Sequence, residues 1–120
     1  MFNLWGALHT QTHPKIWARC KDNSTDLFIN FDTVMTCGDG MKIGLKFDDE
    51  KSFYEYWDAG TDCKALFSDK PVKFLKKMVG KKQLMVRFTP YASGTYNVTF
   101  DLRGIDKVVE NLSSACHWKK

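Results

Sequence analysis

Long apolar runs are missing from this 120-residue chain. No stretch approaches the ~18 residues that a membrane-spanning helix requires, and Met1 to Lys15 lacks the charged start and apolar core of a secretory leader. Neither a membrane span nor an intact secretory precursor is expected. Proline and glycine are scarce, at three and eight residues, against nine Phe, four Tyr and four Trp, a balance that excludes disordered and low-complexity classes. Arginine is scarcer still, with only Arg19, Arg87 and Arg103, so the guanidinium forks that read nucleic-acid bases are few. The three histidines, His9, His13 and His117, have no neighbouring nucleophile or base in a catalytic arrangement. The cysteines, at 20, 37, 63 and 116, contain no C-x-x-C, so the usual zinc and thioredoxin signatures are absent. No enzymatic activity, metal or cofactor is therefore expected.

What the chain does have is the balance of one globular domain, expected to span residues 1–120, with 43% hydrophobic and 27% charged residues. A chain this long can bury roughly two-thirds of its unfolded surface and needs no metal to fold. The net charge is +4, but it is unevenly placed. Lys70, Lys73, Lys76, Lys77, Lys81 and Lys82 crowd one short stretch, whereas Asp48, Asp49, Glu50, Glu55, Asp58 and Asp62 precede it.

Two-residue alternation predicts strands over Thr25 to Phe31, Met41 to Phe47, Gln83 to Thr89 and Thr95 to Arg103, while the aromatic-rich Phe53 to Trp57 reads as extended and the apolar N-terminal segment, broken at His13-Pro14, as two short strands, Asn3 to Leu8 and Lys15 to Cys20. A short edge strand is expected over Cys63 to Phe67. The turn at Cys37-Gly38-Asp39-Gly40 suggests that the strands on either side of it form a hairpin. Ser68 and Asp69 are candidate helix caps ahead of Pro71, and Val72, Phe74, Leu75, Met78 and Val79 make one apolar face opposed by lysine and ended by Gly80. After Gly104 the period becomes 3.6, with Ile105, Val108, Val109 and Leu112 on one stripe of a closing helix. The fold class is α+β, mainly antiparallel β, either a curved sheet or an incomplete β-sandwich carrying two packed helices.

Three segments together resemble a bacterial family with phage relatives: Arg19-Cys20-Lys21-Asp22-Asn23 leading to Thr25-Asp26-Leu27-Phe28-Ile29, then Phe74-Leu75-Lys76-Lys77, then Phe100-Asp101-Leu102-Arg103-Gly104-Ile105 running to Ala115-Cys116-His117-Trp118. The chain resembles the TagO/VasI accessory proteins of type VI secretion over about residues 17–118. That resemblance implies a β-rich accessory domain, no catalysis, and a pairing of Cys20 with Cys116. Cys37 and Cys63 lie outside the pattern, and as a pair they would join a turn to the segment at Cys63. Read from the residues alone, the four cysteines allow three disulfide pairings in an oxidising compartment, or four reduced thiols in a cytosol. The expected location is the periplasm or envelope if a leader has been removed, and otherwise the cytoplasm of the bacterial host.

Two surfaces are candidates for function. Strand alternation cannot bury Phe53, Tyr54, Tyr56 and Trp57 on one face, so Tyr54, Tyr56 and Trp57 are the expected protein interface, since exposed Tyr and Trp supply large contact area at low entropic cost. Lys73, Lys76, Lys77, Lys81 and Lys82 have the density of a polyanion-contacting face, although a helix packed on a sheet also needs a soluble outer side. The expected function is a non-catalytic binding domain that docks on another protein. The alternative is a phage-encoded inhibitor or binder of a nucleic acid or nucleoprotein defence complex, acting through the lysine-rich helix. The acidic run Asp48-Asp49-Glu50 reads as a solvated turn, and the sequence leaves the oligomeric state open.

Overall fold

Alternate residues of an extended chain point to opposite faces, so each apolar-polar stretch has one side to bury, and a sheet that curls can bury all such sides together. The computed structural model, which describes the backbone of residues 2–7 and all of residues 14–31, 34–91 and 94–118, shows that arrangement. The strands are β1 (Phe2–Ala7), β2 (Lys15–Lys21), β3 (Ser24–Asn30), β4 (Met41–Phe47), β5 (Phe53–Ala59), β6 (Ala65–Phe67), β7 (Gln83–Phe88) and β8 (Tyr96–Asp101). Helix α1 (Pro71–Met78) follows β6, and α2 (Ile105–Cys116) follows β8.

Seven strands, in the order β2-β3-β6-β5-β4-β7-β8, form one antiparallel sheet. That sheet is open by itself. β1 bridges its edges, pairing with β2 through Phe2 to Trp5 and with β8 through Gly6 and Ala7, which completes a barrel. The class is α+β with mainly antiparallel β, and of the two architectures expected the curved sheet is the one formed. Inside lie Leu27, Ile29, Ile43, Leu45, Leu84, Val86, Val98 and Phe100, all but fully shielded from solvent.

The strand directions place the starts of both helices at one end of the barrel. β5 and β6 pair only at Asp58↔Phe67 and Ala59↔Leu66, so the wall between the first halves of β3 and β5 lacks a strand. Helix α1 fills that gap with Phe74, Leu75 and Met78, the Phe74 ring lying 5.6 Å from Phe47 and 5.4 Å from Trp57. Helix α2 adds Ile105, Val109 and Leu112 to the same core. The disulfide Cys20–Cys116, with Cα atoms 5.7 Å apart, ties the end of α2 to β2. A second bridge, Cys37–Cys63 at 4.8 Å, lies at the opposite end of the barrel.

Several sequence expectations need correction. β3 and β4 do not form a hairpin: β3 pairs with β2 and β6, whereas β4 pairs with β5 and β7. The intervening segment is too long for a tight turn, and it buries Met35 and is held by the Cys37–Cys63 bridge, so it carries the chain across the barrel end. β6 is not an edge strand, because β3 and β5 flank it. Neither Ser68 nor Asp69 caps α1; the N-cap is Lys70 without a side-chain bond, and the Ser68 hydroxyl accepts from the Lys70 N–H at 3.2 Å. The helix also stops one residue early, so Val79 turns to an extended conformation and is 40% exposed instead of joining the apolar face.

Candidate functional site

β5 has two unlike sides. Its inner side carries Phe53, Glu55 and Trp57, and its outer side carries Tyr54 and Tyr56, which face the same way as their β4 partners Gly44 and Lys42. The expected interface is therefore corrected at Trp57: only 1% of its surface is exposed, its ring meets Phe74 edge-on, and its indole N–H donates to the Glu55 carboxylate at 3.0 Å. Strand alternation forces the division, because the gap filled by α1 lies on the Trp57 side and takes the larger ring. Tyr54 and Tyr56 remain outward, 62% and 54% exposed.

The row of residues through Tyr54 continues across the wall as Tyr54, Gly44, Arg87 and Asn97, one residue from each of four neighbouring strands. Gly44 leaves a dent in that row. A Cβ there would stand 3.3 Å from both the Arg87 Cβ and the Tyr54 Cε1, so the neighbouring side chains lean over the missing one. The depression holds about 240 Å³ and is bounded also by Lys46, Ser52 and Met85. Arg87 donates through Nε to the Asn97 side-chain oxygen at 3.2 Å, and Lys42 places its ammonium 5.8 Å from the Tyr54 ring centre. The outward placement of Tyr54 and Tyr56 follows from alternation along β5, but their juxtaposition with Gly44 and Arg87 requires the pairing of β4 with both β5 and β7. Gly44, Arg87 and Asn97 carry no local signal in the sequence, since the dent exists only where Gly44 of β4 sits beside Arg87 of β7.

The lysine candidates fall into two groups. Lys73, Lys76 and Lys77 are exposed on the outer side of α1, and Lys82 is exposed beyond its end. Lys81 is half-buried and forms an ion pair with Glu50, which withdraws it from a free cationic face. Aromatic rings from distant segments meet this helix: Lys76 lies 5.8 Å from the centre of the Trp118 indole and Lys77 lies 5.2 Å from that of Phe53. These contacts give the ammonium groups local partners. The acidic turn is structural as well, since Asp48 accepts from the backbone N–H groups of Lys82 and Gln83.

A second set of outward aromatics, not singled out from sequence, crosses β2, β3 and β6 as the register row Trp17, Phe28 and Phe67. Their rings stack on one another, Phe28 lying 4.6 Å from Phe67 and 6.5 Å from Trp17, with Arg19 above Phe28 and paired to Asp26. Because each ring uses its face on its neighbour, the row acts as a cross-strand zipper. His117 ends α2 in the left-handed region and is exposed, while His9 and His13 lie outside the described residues. Among the described residues no group of three or more His, Cys, Asp or Glu is placed to hold a metal ion, and no helix is long and apolar enough to cross a membrane.

No curated protein and no solved structure matches the chain. A family model described as type VI secretion system VasI, EvfG matches residues 6–118, which include every strand from β2 onward, both helices and all four cysteines. The chain therefore belongs to the VasI family of type VI secretion proteins.

Proposed function

We propose that this protein is a non-catalytic accessory domain of a type VI secretion system that docks on another protein through the outer face of β5, β4 and β7. The observation that carries the reading is the pair of tyrosines, Tyr54 and Tyr56, largely exposed on a strand whose other side is locked by Trp57. A tyrosine held on a rigid strand loses little conformational freedom on binding and contributes both apolar area and a hydroxyl. Membership of a secretion-system family supports a protein partner. The rival reading, a polyanion site on α1, has less support, because Lys81 is paired and Lys76 and Lys77 sit against aromatic rings.

Site-specific photocrosslinking in the native host tests the reading. A photoreactive residue at position 56 is expected to capture a discrete partner, whereas one at the exposed Lys107 of α2 is not. Cross-links from position 107 alone would contradict it.

A further inference from the structure

The outer face of β4, β5 and β7 is cationic around its dent. Among the described residues no carboxylate lines the depression over Gly44, yet Arg87 and Lys46 both border it, beside the neutral groups of Ser52, Tyr54 and Asn97. Lys46 is half-buried and has no hydrogen-bond or ion-pair partner among the described residues. The nearby acids Asp48 and Glu50 are engaged elsewhere, the first with backbone N–H groups at the start of β7 and the second with Lys81. Arg87 donates through Nε to Asn97, which orients the guanidinium, and its terminal nitrogens have no acceptor among the described residues.

We infer that the depression over Gly44 receives a carboxylate side chain of the docking partner, held between the Arg87 guanidinium and the Lys46 ammonium beside the Tyr54 ring. This inference rests on the docking reading above and names the partner's chemistry: an acidic segment of a protein. A planar guanidinium pairs with a carboxylate through parallel N–H donors, and a charge-assisted bond of that kind is stronger than a neutral one. Gly44 is the enabling residue, since any larger side chain would occupy the seat. Tyr54 and Tyr56 supply the flanking contact area that a free anion would not use, which favours a carboxylate carried on a polypeptide.

The test is an NMR titration of the whole isotope-labelled protein with a short Glu-rich peptide, its Gln counterpart, and inorganic phosphate at matched ionic strength. The Glu peptide is expected to give saturable shifts centred on Gly44, Arg87 and Asn97, and the Gln peptide none. Arg87→Ala should weaken the binding by about tenfold or more, Lys46→Ala should weaken it less, and Lys73→Glu with Lys77→Glu should leave it unchanged. Melting curves of each variant check that the substitutions leave the fold intact. Shifts centred on α1, equal binding of both peptides, no saturable shift, or phosphate competing as well as the peptide would each overturn the inference. Cross-links from position 56 that survive Arg87→Ala would remove the carboxylate seat while leaving the docking face standing.

Discussion

Tyr54 and Gly44 are register partners on adjacent strands, and the tyrosine ring stands over the glycine with Cε1 3.3 Å from the point a Cβ would occupy. The Tyr54 ring, at the far end of a rotatable side chain, can give by a few tenths of an ångström, and the other neighbour at this distance, the Arg87 Cβ, needs only a small adjustment of its strand. Gly40 differs: a Cβ there would fall 1.9 Å from the backbone oxygen of Trp57. Gly44→Ala is thus expected to move the Tyr54 ring resonances while changing stability by less than about 1 kcal/mol. Gly40→Ala should cost more than about 2 kcal/mol, because backbone must shift. Equal costs in chemical denaturation would contradict this account of the two glycines.

The two faces of β5 make a second contrast. Trp57→Ala empties a fully buried site beside Phe74 and should destabilise by about 3–5 kcal/mol. Tyr54→Ala and Tyr56→Ala should each fall within about 0.5 kcal/mol of the parent. Denaturant midpoints of the three variants settle the order, and a collapse of both tyrosine variants would place this segment in the core.

The disulfides can be ranked by the loops they close. Cys20 and Cys116 are separated by 96 positions and Cys37 and Cys63 by 26. In the chain-entropy treatment these closures are worth about 4.7 and about 3.6 kcal/mol. The double variant Cys20→Ser with Cys116→Ser is therefore expected to lose more stability than Cys37→Ser with Cys63→Ser. The reverse order would show that the barrel end carrying the Cys37–Cys63 bridge depends on its covalent tie for more than loop closure.

Asp101 is held below the ordinary carboxylate range by the side-chain and backbone hydrogen bonds it accepts from Arg103, with the charge of the guanidinium adding to them. A depressed folded-state value means that the interaction is present at neutral pH and lost as pH falls through that value. NMR titration should place the Asp101 midpoint below that of a free aspartate, and Arg103→Ala should raise it. An unchanged midpoint in the variant would assign the depression to another cause.

Much of the wall was legible because alternation is a local property. Leu27, Ile29 and Phe31, or Leu84, Val86 and Phe88, declare their inner side without knowledge of any neighbour. Pairing order is not local, and the hairpin expected around Gly38 failed because Met35 and the Cys37–Cys63 bridge redirect the chain. The same limit hid the candidate site. Arg87 and Asn97 face each other across the β7–β8 pair, but Gly44 and Tyr54 are remote from them in sequence and join the row only because β4 lies between β5 and β7. Trp57 was misplaced for a related reason: its strand alternates correctly, but which side is buried depends on α1 filling a gap that sequence does not reveal.

The most direct measurement of the docking account is quantitative affinity capture from the native host with two double variants beside the parent. Tyr54→Ala with Tyr56→Ala should lose the captured partner while melting within a few degrees of the parent, since a hot-spot tyrosine typically contributes about 2 kcal/mol or more to binding. Lys73→Glu with Lys77→Glu, on the exposed side of α1, should retain that partner. Loss of capture by the lysine variant together with its retention by the tyrosine variant would contradict the account and move the binding surface to the helix.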